Sequence, residues 1–297
     1  MNKIQQLSRN ATLNSAELVD VISGNIFGYT HNGHRARRWS FSDFMTGGEI
    51  HDAGYKMSQG KTEPRVGEWT KMMIKGRGFF TVQDPRSGKI MYTRLGDFHL
   101  DGDGNLVSVD GLRVKGTPLA GAATKLTSPN PAIPDYMQVN PNFVDPFNNP
   151  YTNNAQQLNP AGRAVASAED INLGLDRNNG RYLGHFEEIR VGQDGVIYGK
   201  DGNNMVSLYK LSIAAFNNPE GLTDMRDGVY FKPNENSGFP SFNVVGDIVI
   251  NEAVEKSNTW VKVEAHYLTD AQRYFQASTQ IHKLADKISG TAIEMIQ

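Results

Sequence analysis

The sequence predicts an α+β protein in which long N- and C-terminal helices form a coiled-coil-like domain beside a central, mainly β domain. Three observations lead to this prediction. Small or apolar residues recur at alternating steps of four and three at both ends of the chain, which is the spacing of a coiled-coil stripe. The region between the ends holds short apolar runs separated by Gly, Asp and Pro turns. A hydrophobic content of 38% with 30 glycines indicates a turn-rich body with much interface surface.

The first helix is predicted over residues 4–26, because one face collects apolar, small and amide side chains. These residues are Ile4, Leu7, Ala11, Asn14, Leu18, Val21 and Asn25. Buried amides at Asn14 and Asn25 are expected to fix register and partner number. The basic stretch that follows, with Arg35, Arg37 and Arg38, is expected to form salt bridges to a neighbouring subunit.

Two hairpins are predicted in the β domain. Strands at residues 79–82 and 90–93 flank the turn 84–88. Residues 98–111, with two Asp-Gly pairs, align without a gap on residues 189–202. Because two short matches do not make a solenoid, we expect two similar hairpins within one β domain.

The final helix is predicted to follow Ser257 and Asn258, which are plausible N-capping residues. It would run towards Ile296 over roughly 55 Å. Its stripe consists of Tyr267, Ala271, Tyr274, Ser278, Ile281, Ala285, Ile288, Ala292 and Met295. Neither terminal helix can bury its stripe alone, so the two are expected to pair with each other or with other subunits, and their stripes form the predicted assembly interface.

We divide the chain into three predicted units. Residues 1–71 hold the N-terminal helix and an extended connector, residues 72–245 the central β domain, and residues 246–297 the C-terminal helix that pairs with the N-terminal one. A Pro/Asn-rich insertion is predicted at about 117–168, where eight prolines stand. Proline removes ladder donors and breaks helices, so this stretch is expected to be a long loop, a linker or an insertion.

Composition excludes several classes of function. A net charge of -2 and a pI near 6.4 give no electrostatic case for binding nucleic acid or an acidic membrane. The absence of cysteine excludes disulfides and thiolate zinc sites. The N-terminus has no secretory signal pattern, and no apolar run has the length of a membrane span.

Candidate chemical motifs all fail on inspection. Residues 101–105 begin like a calcium loop, but the sixth and twelfth positions are both leucine. Residues 60–62 and 76–78 lack required glycines of a phosphate loop and a dinucleotide fingerprint. His31 and His34 have no nearby third metal ligand, and the adjacent Glu187 and Glu188 would point to opposite faces of a strand. No catalytic, cofactor-binding or metal-ligating residue is predicted.

Four segments resemble one family, the bacterial flagellar rod and hook proteins. Residues 20–35 (DVISGNIFGYTHNGHR) are similar, without a gap, to its N-terminal signature DVISNNIANVNTxGYK. Residues 76–107 resemble the central block GxGFFxV…YTRxGxFxxDxxGxLV, residues 246–258 resemble GxLExSNV, and residues 271–277 resemble AQRAYEAN. The matches lie in order at the start, middle and end of the chain, so their joint occurrence is specific.

The resemblance implies a structural, non-enzymatic subunit of the basal-body rod, without a cofactor. Such a subunit is exported through the flagellar type III apparatus without signal cleavage and polymerises helically across the periplasm. Its terminal helices would pair as an inner layer around the export channel, with the β domain outside. The implied partners are other copies of itself, other rod and hook subunits and the export apparatus, with no nucleic acid and no small-molecule substrate.

Two departures from the family pattern stand out. Residues 24–28 read GNIFG where the family usually has NNIAN, and the Pro-rich stretch has no counterpart.

The segment 44–74 is shorter than the corresponding segment of distal rod proteins, which favours a proximal-rod subunit. A hook or distal-rod subunit stays an alternative, although hook proteins are usually longer. An alternative of another class is a β-rich carbohydrate-binding or hydrolytic protein with helical oligomerisation ends, whose long loop would cover a cleft.

Overall fold

A computed structural model of the protein describes residues 3–39, 52–119, 168–173, 186–201, 203–242 and 247–294. Within them, helix α1 (Lys3–Gly28) and helix α2 (Val261–Glu294) flank a β-rich body. This confirms the α+β class in its coarse form, while the coiled-coil geometry stays a prediction. Neither described helix is both long and apolar enough to cross a membrane.

The β-rich body consists of short strands. In chain order they are β1 (Arg37–Trp39), β2 (Asp52–Tyr55), β3 (Thr62–Pro64), β4 (Met72–Lys75), β5 (Phe79–Gln83), β6 (Ile90–Thr93), β7 (Phe98–Leu100), β8 (Leu106–Ser108), β9 (Arg113–Pro118), β10 (Glu169–Asp170), β11 (Glu188–Val191), β12 (Val196–Asp201), β13 (Asn204–Leu211), β14 (Ile213–Ala214), β15 (Thr223–Arg226), β16 (Tyr230–Lys232), β17 (Ile248–Asn251) and β18 (Ala253–Glu255). A single 3₁₀ turn among the described residues spans Pro219–Gly221.

The main sheet follows the strand order β11-β12-β13-β9-β5-β6-β16-β15, with antiparallel neighbours. Strand β14 also pairs with β5, and β7 pairs with β8 beside β9. Two ribbons, β4–β17 and β3–β18, join strands from the two ends of the chain. Strands β17 and β18 lie in the predicted C-terminal unit, which the sequence analysis describes as helix. The division into three units otherwise stays a prediction.

Two apolar clusters form the core, one on each side of strand β5. Successive side chains of a strand point to opposite faces, so Phe80 enters the larger cluster with Phe98 while its neighbour Phe79 enters the smaller one with Phe216 and Phe231. The aromatic rings of both clusters meet edge to face, with Phe80 and Phe98 centroids 5.2 Å apart. This double-sided burial explains why the central strands read as continuous apolar runs.

The predicted hairpins are confirmed. Strands β5 and β6 pair across a turn that the Asp84 carboxylate holds by accepting hydrogen bonds from Ser87 and from the backbone N–H of Arg86. The two matched segments form the hairpins β7–β8 and β11–β12. Gly104 and Gly195 occupy equivalent turn positions with φ of 81° and 73°, a conformation that favours glycine.

The first residues of the predicted Pro/Asn-rich insertion belong to the sheet. Thr117 and Pro118 lie in strand β9 and pair with Lys210 and Tyr209. Proline is tolerated there because it stands at the strand end. Residues 120–167 of the predicted insertion lie outside the described residues.

Candidate assembly site

Helices α1 and α2 pack against each other in antiparallel orientation. Near the end of α1, the Asn25 side-chain amide donates a hydrogen bond to the Glu264 carboxylate at the start of α2, over 3.2 Å. Farther along the contact, the Thr12 hydroxyl donates to the Ser278 hydroxyl over 3.3 Å. The two helices therefore run side by side for about 20 Å, and the two ends of the chain pair within one subunit.

Small side chains form the α2 side of this contact. Ala271 is completely buried, and Ser278 and Ala285 are each 7% exposed. Ser15 and Ile22 are buried on α1, one residue beyond the predicted positions 14 and 21. Short side chains at the crossing allow two helix backbones to approach closely.

The structure places the predicted interface residues of α1 at different depths. Val21 and Asn25 are buried, Ala11, Asn14 and Leu18 are partly buried, and Ile4 and Leu7 lie outside the described side chains. Asn25 performs the role expected of a buried amide. Besides bonding Glu264, it accepts a hydrogen bond from the Arg37 N–H and donates one to the Arg37 carbonyl, which fixes α1 against the following chain.

The predicted interface residues of α2 divide into two groups. Ala271, Ser278 and Ala285 are buried against α1, Tyr274 is partly buried, Tyr267, Ile281 and Ile288 are 47%, 53% and 58% exposed, and Ala292 and Met295 lie outside the described side chains. The structure brings only the small residues of the stripe to α1. The large ones lie on the neighbouring flank of the helix.

The flank of α2 beside the contact with α1 carries a stripe of exposed apolar side chains, which we call the α2 ridge. It consists of Val263, Tyr267, Ile281, Leu284 and Ile288, each between 40% and 59% exposed. Residues seven apart on a helix lie in one line, so a stripe with steps of four and three contains two such lines. In this chain one line packs on α1, and the other stays on the surface.

Glu264 is a buried residue that the sequence analysis missed. Its carboxylate is 0% exposed and forms an ion pair with Arg38 at 2.5 Å, in addition to the hydrogen bond from Asn25. Its place in the sequence could have predicted this burial, because Glu264 stands seven residues before Ala271 and therefore on the buried line of α2. The contact ties the start of α2 to the chain that leaves α1.

A second buried ionic group, which we call the junction, joins the helical ends to the β body. It consists of Arg35, Arg94 and Glu255, none more than 2% exposed. The Arg35 guanidinium lies 2.6 Å from Glu255 Oε1, and Arg94 lies 3.7 Å from Glu255 Oε2. Burial lowers the pKa of Arg94 to about 10, so this guanidinium stays charged at neutral pH. Its N–H groups donate to the carbonyls of Ile74 and Gly76.

The prediction that the basic stretch forms salt bridges to a neighbouring subunit is wrong for two of its arginines. Arg35 pairs with Glu255 and Arg38 pairs with Glu264, both inside the same chain. The partners lie 220 and 226 residues away in sequence. Only folding of both chain ends onto the same site brings them together.

The predicted N-cap of α2 is also wrong. The Asn258 side chain accepts a hydrogen bond from the Ala36 N–H and donates to the Lys56 and Ser58 carbonyls. It therefore fastens three chain segments together instead of capping the helix. Ser257 does not cap the helix either, and its hydroxyl lies 3.1 Å from Nδ1 of the buried His34.

Gly28 is one of the departures noted in residues 24–28, and the fold explains it. A Cβ atom at Gly28 would lie 2.2 Å from Nε2 of the buried His34 ring. A larger residue at the end of α1 would therefore displace that ring from its contact with Ser257. The position of the buried His34 ring therefore requires glycine at position 28.

The buried His34, which stands next to Arg35 of the junction, should make the stability of the protein sensitive to acid. Burial is the main cause that lowers the pKa of His34 from 6.5 to about 4, so the folded protein favours the neutral ring. The stability from this group is therefore complete above pH 6.5 and is lost as the pH falls towards 4, by about 3 kcal/mol in total. We expect His34→Gln to show a flatter decline, measured by urea denaturation at about pH 7 and about pH 4.5. Identical pH profiles for both proteins would contradict this assignment.

Several of the motifs weighed in the sequence have other roles in the described part of the structure. No group of three or more His, Asp or Glu side chains among the described residues is placed to hold a metal ion. The Asp101 carboxylate is occupied by its own turn, accepting from the N–H groups of Asp103 and Asn105. The Gly60 N–H, once a candidate phosphate donor, donates instead to Glu255.

The other two candidates are surface features. Glu188 pairs with Arg190 across 2.7 Å on an exposed part of strand β11, and Glu187 lies 3.7 Å from Lys200. His31 is exposed and stacks on Phe27, whereas His34 is buried. Both line the same groove, but in the part of the chain that the structure describes they belong to no group of three possible metal ligands. These four candidate side chains do not form the cluster of polar groups that a carbohydrate-binding or hydrolytic site would require.

Comparison with known proteins identifies relatives along most of the chain. A family model described as the flagellar hook protein FlgE/F/G D1 domain matches residues 73–199. The flagellar hook protein FlgE of Escherichia coli strain K12 is 22% identical over 392 residues, covering 95% of this chain and 97% of the relative. FlgE of Salmonella typhimurium strain LT2 is 23% identical over 393 residues, with the same coverage. The matched D1 region includes most of the main sheet.

Proposed function

We propose that this chain, which belongs to the flagellar rod and hook protein family, is a structural subunit of the bacterial flagellar hook. The chain is an axial structural component of the flagellum, and its family is structural rather than enzymatic. The observation that carries the hook assignment is the alignment of two hook proteins over 95% of this chain and 97% of their own length.

The preference for a proximal-rod subunit is not confirmed, and the relatives favour the hook alternative. One observation still supports the rod. The alignment to the Escherichia coli relative extends over 392 residues, at least 95 more than the 297 residues of this chain. The relatives therefore contain segments that this shorter subunit lacks. A shorter chain is one of the two grounds for the rod prediction, the other being the short segment 44–74.

The fold supports self-assembly through two different surfaces. The α2 ridge exposes five large apolar side chains along one helix flank, and contiguous apolar surface of this kind indicates a protein contact. A contact between two different surfaces of successive subunits produces a helical filament when the rotation between the subunits does not close into a ring. We propose that the ridge is buried between neighbouring copies in the flagellar axis.

Within such a filament, the junction would connect the helices to the β body rigidly. Arg35 enters from the end of α1, Glu255 from strand β18 and Arg94 from the main sheet. A buried ion pair with several backbone hydrogen bonds resists rotation of one part against the other. We propose that torque passes between the helical layer and the β body through this group. Export by the flagellar type III apparatus, without signal cleavage, belongs to the same proposal.

Imaging of basal bodies from a strain that lacks this subunit tests the hook assignment. We expect complete rods without hooks. Rods that stop short of the outer end would overturn the assignment and favour the rod alternative. Restoring the full-length gene in the same strain should return complete hooks, which excludes effects on neighbouring genes.

The α2 ridge gives a direct assembly prediction. Ile281→Lys should raise the critical concentration for polymerisation at least about tenfold, because the burial of an isoleucine contributes about 1.5–3 kcal/mol. Sedimentation of the assembled fraction measures the change. Gln276→Lys, on the polar side of the same helix, is the matched control and should polymerise like the unmodified protein. Normal assembly of Ile281→Lys would contradict the role of the ridge.

A further inference from the structure

A groove of about 400 Å³ lies between the last two turns of α1 and the hairpin β15–β16. We call it the α1 groove. Asp20, Gly24 and Phe27 line its helix side, and Asp227 and Tyr230 line its β side. The groove is open to solvent in the single subunit, and at one edge Val21 and Asn25 also border the contact between α1 and α2.

Two features of the α1 groove have no explanation inside one subunit. A Cβ at Gly24 would meet no atom within 4 Å, so the fold itself does not require glycine there, although glycine weakens the interior of a helix relative to alanine. Phe27 is 72% exposed, and stacks only at one side on His31. Both residues belong to the departures at positions 24–28. A second chain that approaches α1 closely would explain both.

The charge of the groove indicates what approaches it. Four aspartates line it, Asp20, Asp110, Asp224 and Asp227, against the cations Arg37 and Arg226. Asp20 and Asp227 are exposed, and neither forms an ion pair with another residue in the described part of the chain. The groove is therefore a partly apolar, acidic surface, and a complementary occupant is apolar with a basic edge.

The α2 ridge has that chemistry. Lys262, Arg273 and Lys287 are exposed and lie along one edge of the ridge, because separations of 11 and 14 residues are close to whole numbers of helical turns. The large apolar side chains of the ridge stand beside this basic edge. Within one subunit the ridge and the groove lie on different helices. The five ridge side chains are still 40–59% exposed, and Phe27 of the groove is 72% exposed.

We propose that the α1 groove of one subunit receives the α2 ridge of a second copy of this chain. The inference rests on the proposed function, since it names the two surfaces that meet in the filament. Gly24 keeps the groove open for a side chain of the ridge, and Phe27 is buried by the incoming helix. The basic edge of the ridge faces Asp20 and Asp227.

Cysteine cross-linking tests this pairing, because the chain has no native cysteine. Subunits with Phe27→Cys are polymerised with subunits with Leu284→Cys and then oxidised. We expect a disulfide-linked dimer in the assembled fraction, at least ten times the yield obtained with Gln272→Cys on the opposite side of α2. An assembled polymer without this cross-link, or with equal yield from Gln272→Cys, overturns the pairing and leaves the proposed function intact. Failure of the unmodified subunits to polymerise overturns both.

A second variant tests the groove without cysteine. Gly24→Leu should not lower the helix content of the single subunit, because a Cβ at this position meets no atom within 4 Å and leucine favours a helix more than glycine does. It should nevertheless raise the critical concentration at least tenfold by filling the groove. Gly290→Leu is the matched control, since Gly290 also stands in open space within a helix but away from the ridge. Polymerisation of Gly24→Leu at the unmodified concentration would overturn the proposal.

Discussion

Replacing Glu255 with alanine is expected to lower the free energy of unfolding by about 3–5 kcal/mol, because it leaves buried cations without their partner. Glu255 is 0% exposed, and Arg35 lies 2.6 Å from its carboxylate. The same carboxylate accepts the Gly60 N–H over 2.7 Å, so its loss also strands a backbone donor. Urea denaturation measures the effect as a shift of the midpoint at constant slope.

An exposed ion pair supplies the control for this experiment. Glu188 and Arg190 lie 2.7 Å apart on the surface, with side chains 44% and 64% exposed. Water and salt screen such a pair, so Glu188→Ala should unfold at the same urea concentration as the unmodified protein. If Glu255→Ala shifted the urea midpoint as little as this control does, the junction would not hold the helices to the β body.

Replacing Ala271 with aspartate is expected to cost about 3 kcal/mol or more and to separate the two helices. Ala271 is 0% exposed at the contact with α1, and the new carboxylate would have to be buried without a partner. Hydrogen exchange should show lost protection in α1 and α2 while the central strands stay protected, since local and global opening differ in free energy. Circular dichroism should show the matching loss of helix.

Gln272 is the neighbouring residue on the exposed side of α2, and Gln272→Asp places the same charge in solvent. This variant should keep the protection pattern of the unmodified protein. Equal protection in Ala271→Asp would mean that the α1–α2 contact does not stabilise the helices. The pair of variants separates the buried line of α2 from its surface.

Local patterns in the sequence were sufficient for the elements of the fold. Alternating steps of four and three predicted both terminal helices. The turn at residues 84–88 predicted the hairpin β5–β6, and Asp-Gly turns predicted β7–β8 and β11–β12. These signals depend on contacts between near neighbours in the chain, which spacing reveals directly. The ordered motif matches also identified the family, because they combine segments from the whole chain.

Other features were settled only by the tertiary structure. Spacing could not distinguish the two lines of the α2 stripe, since the residues of both lines recur every seven positions. The position of α1 buries Ala271 and leaves Ile281 in solvent. In the sequence Asn258 resembles a helix cap, but in the fold its side chain binds two distant segments, at Ala36 and at Lys56 and Ser58.

The junction shows the same limit most clearly. Arg35 and Glu255 are 220 residues apart, and no local pattern relates them. Sequence by itself determined the helices, the hairpins and the family of this protein, because these depend on short-range periodicity and on motifs. The tertiary structure alone decided which faces pair and which charges are buried, because burial depends on what the rest of the chain places opposite each residue.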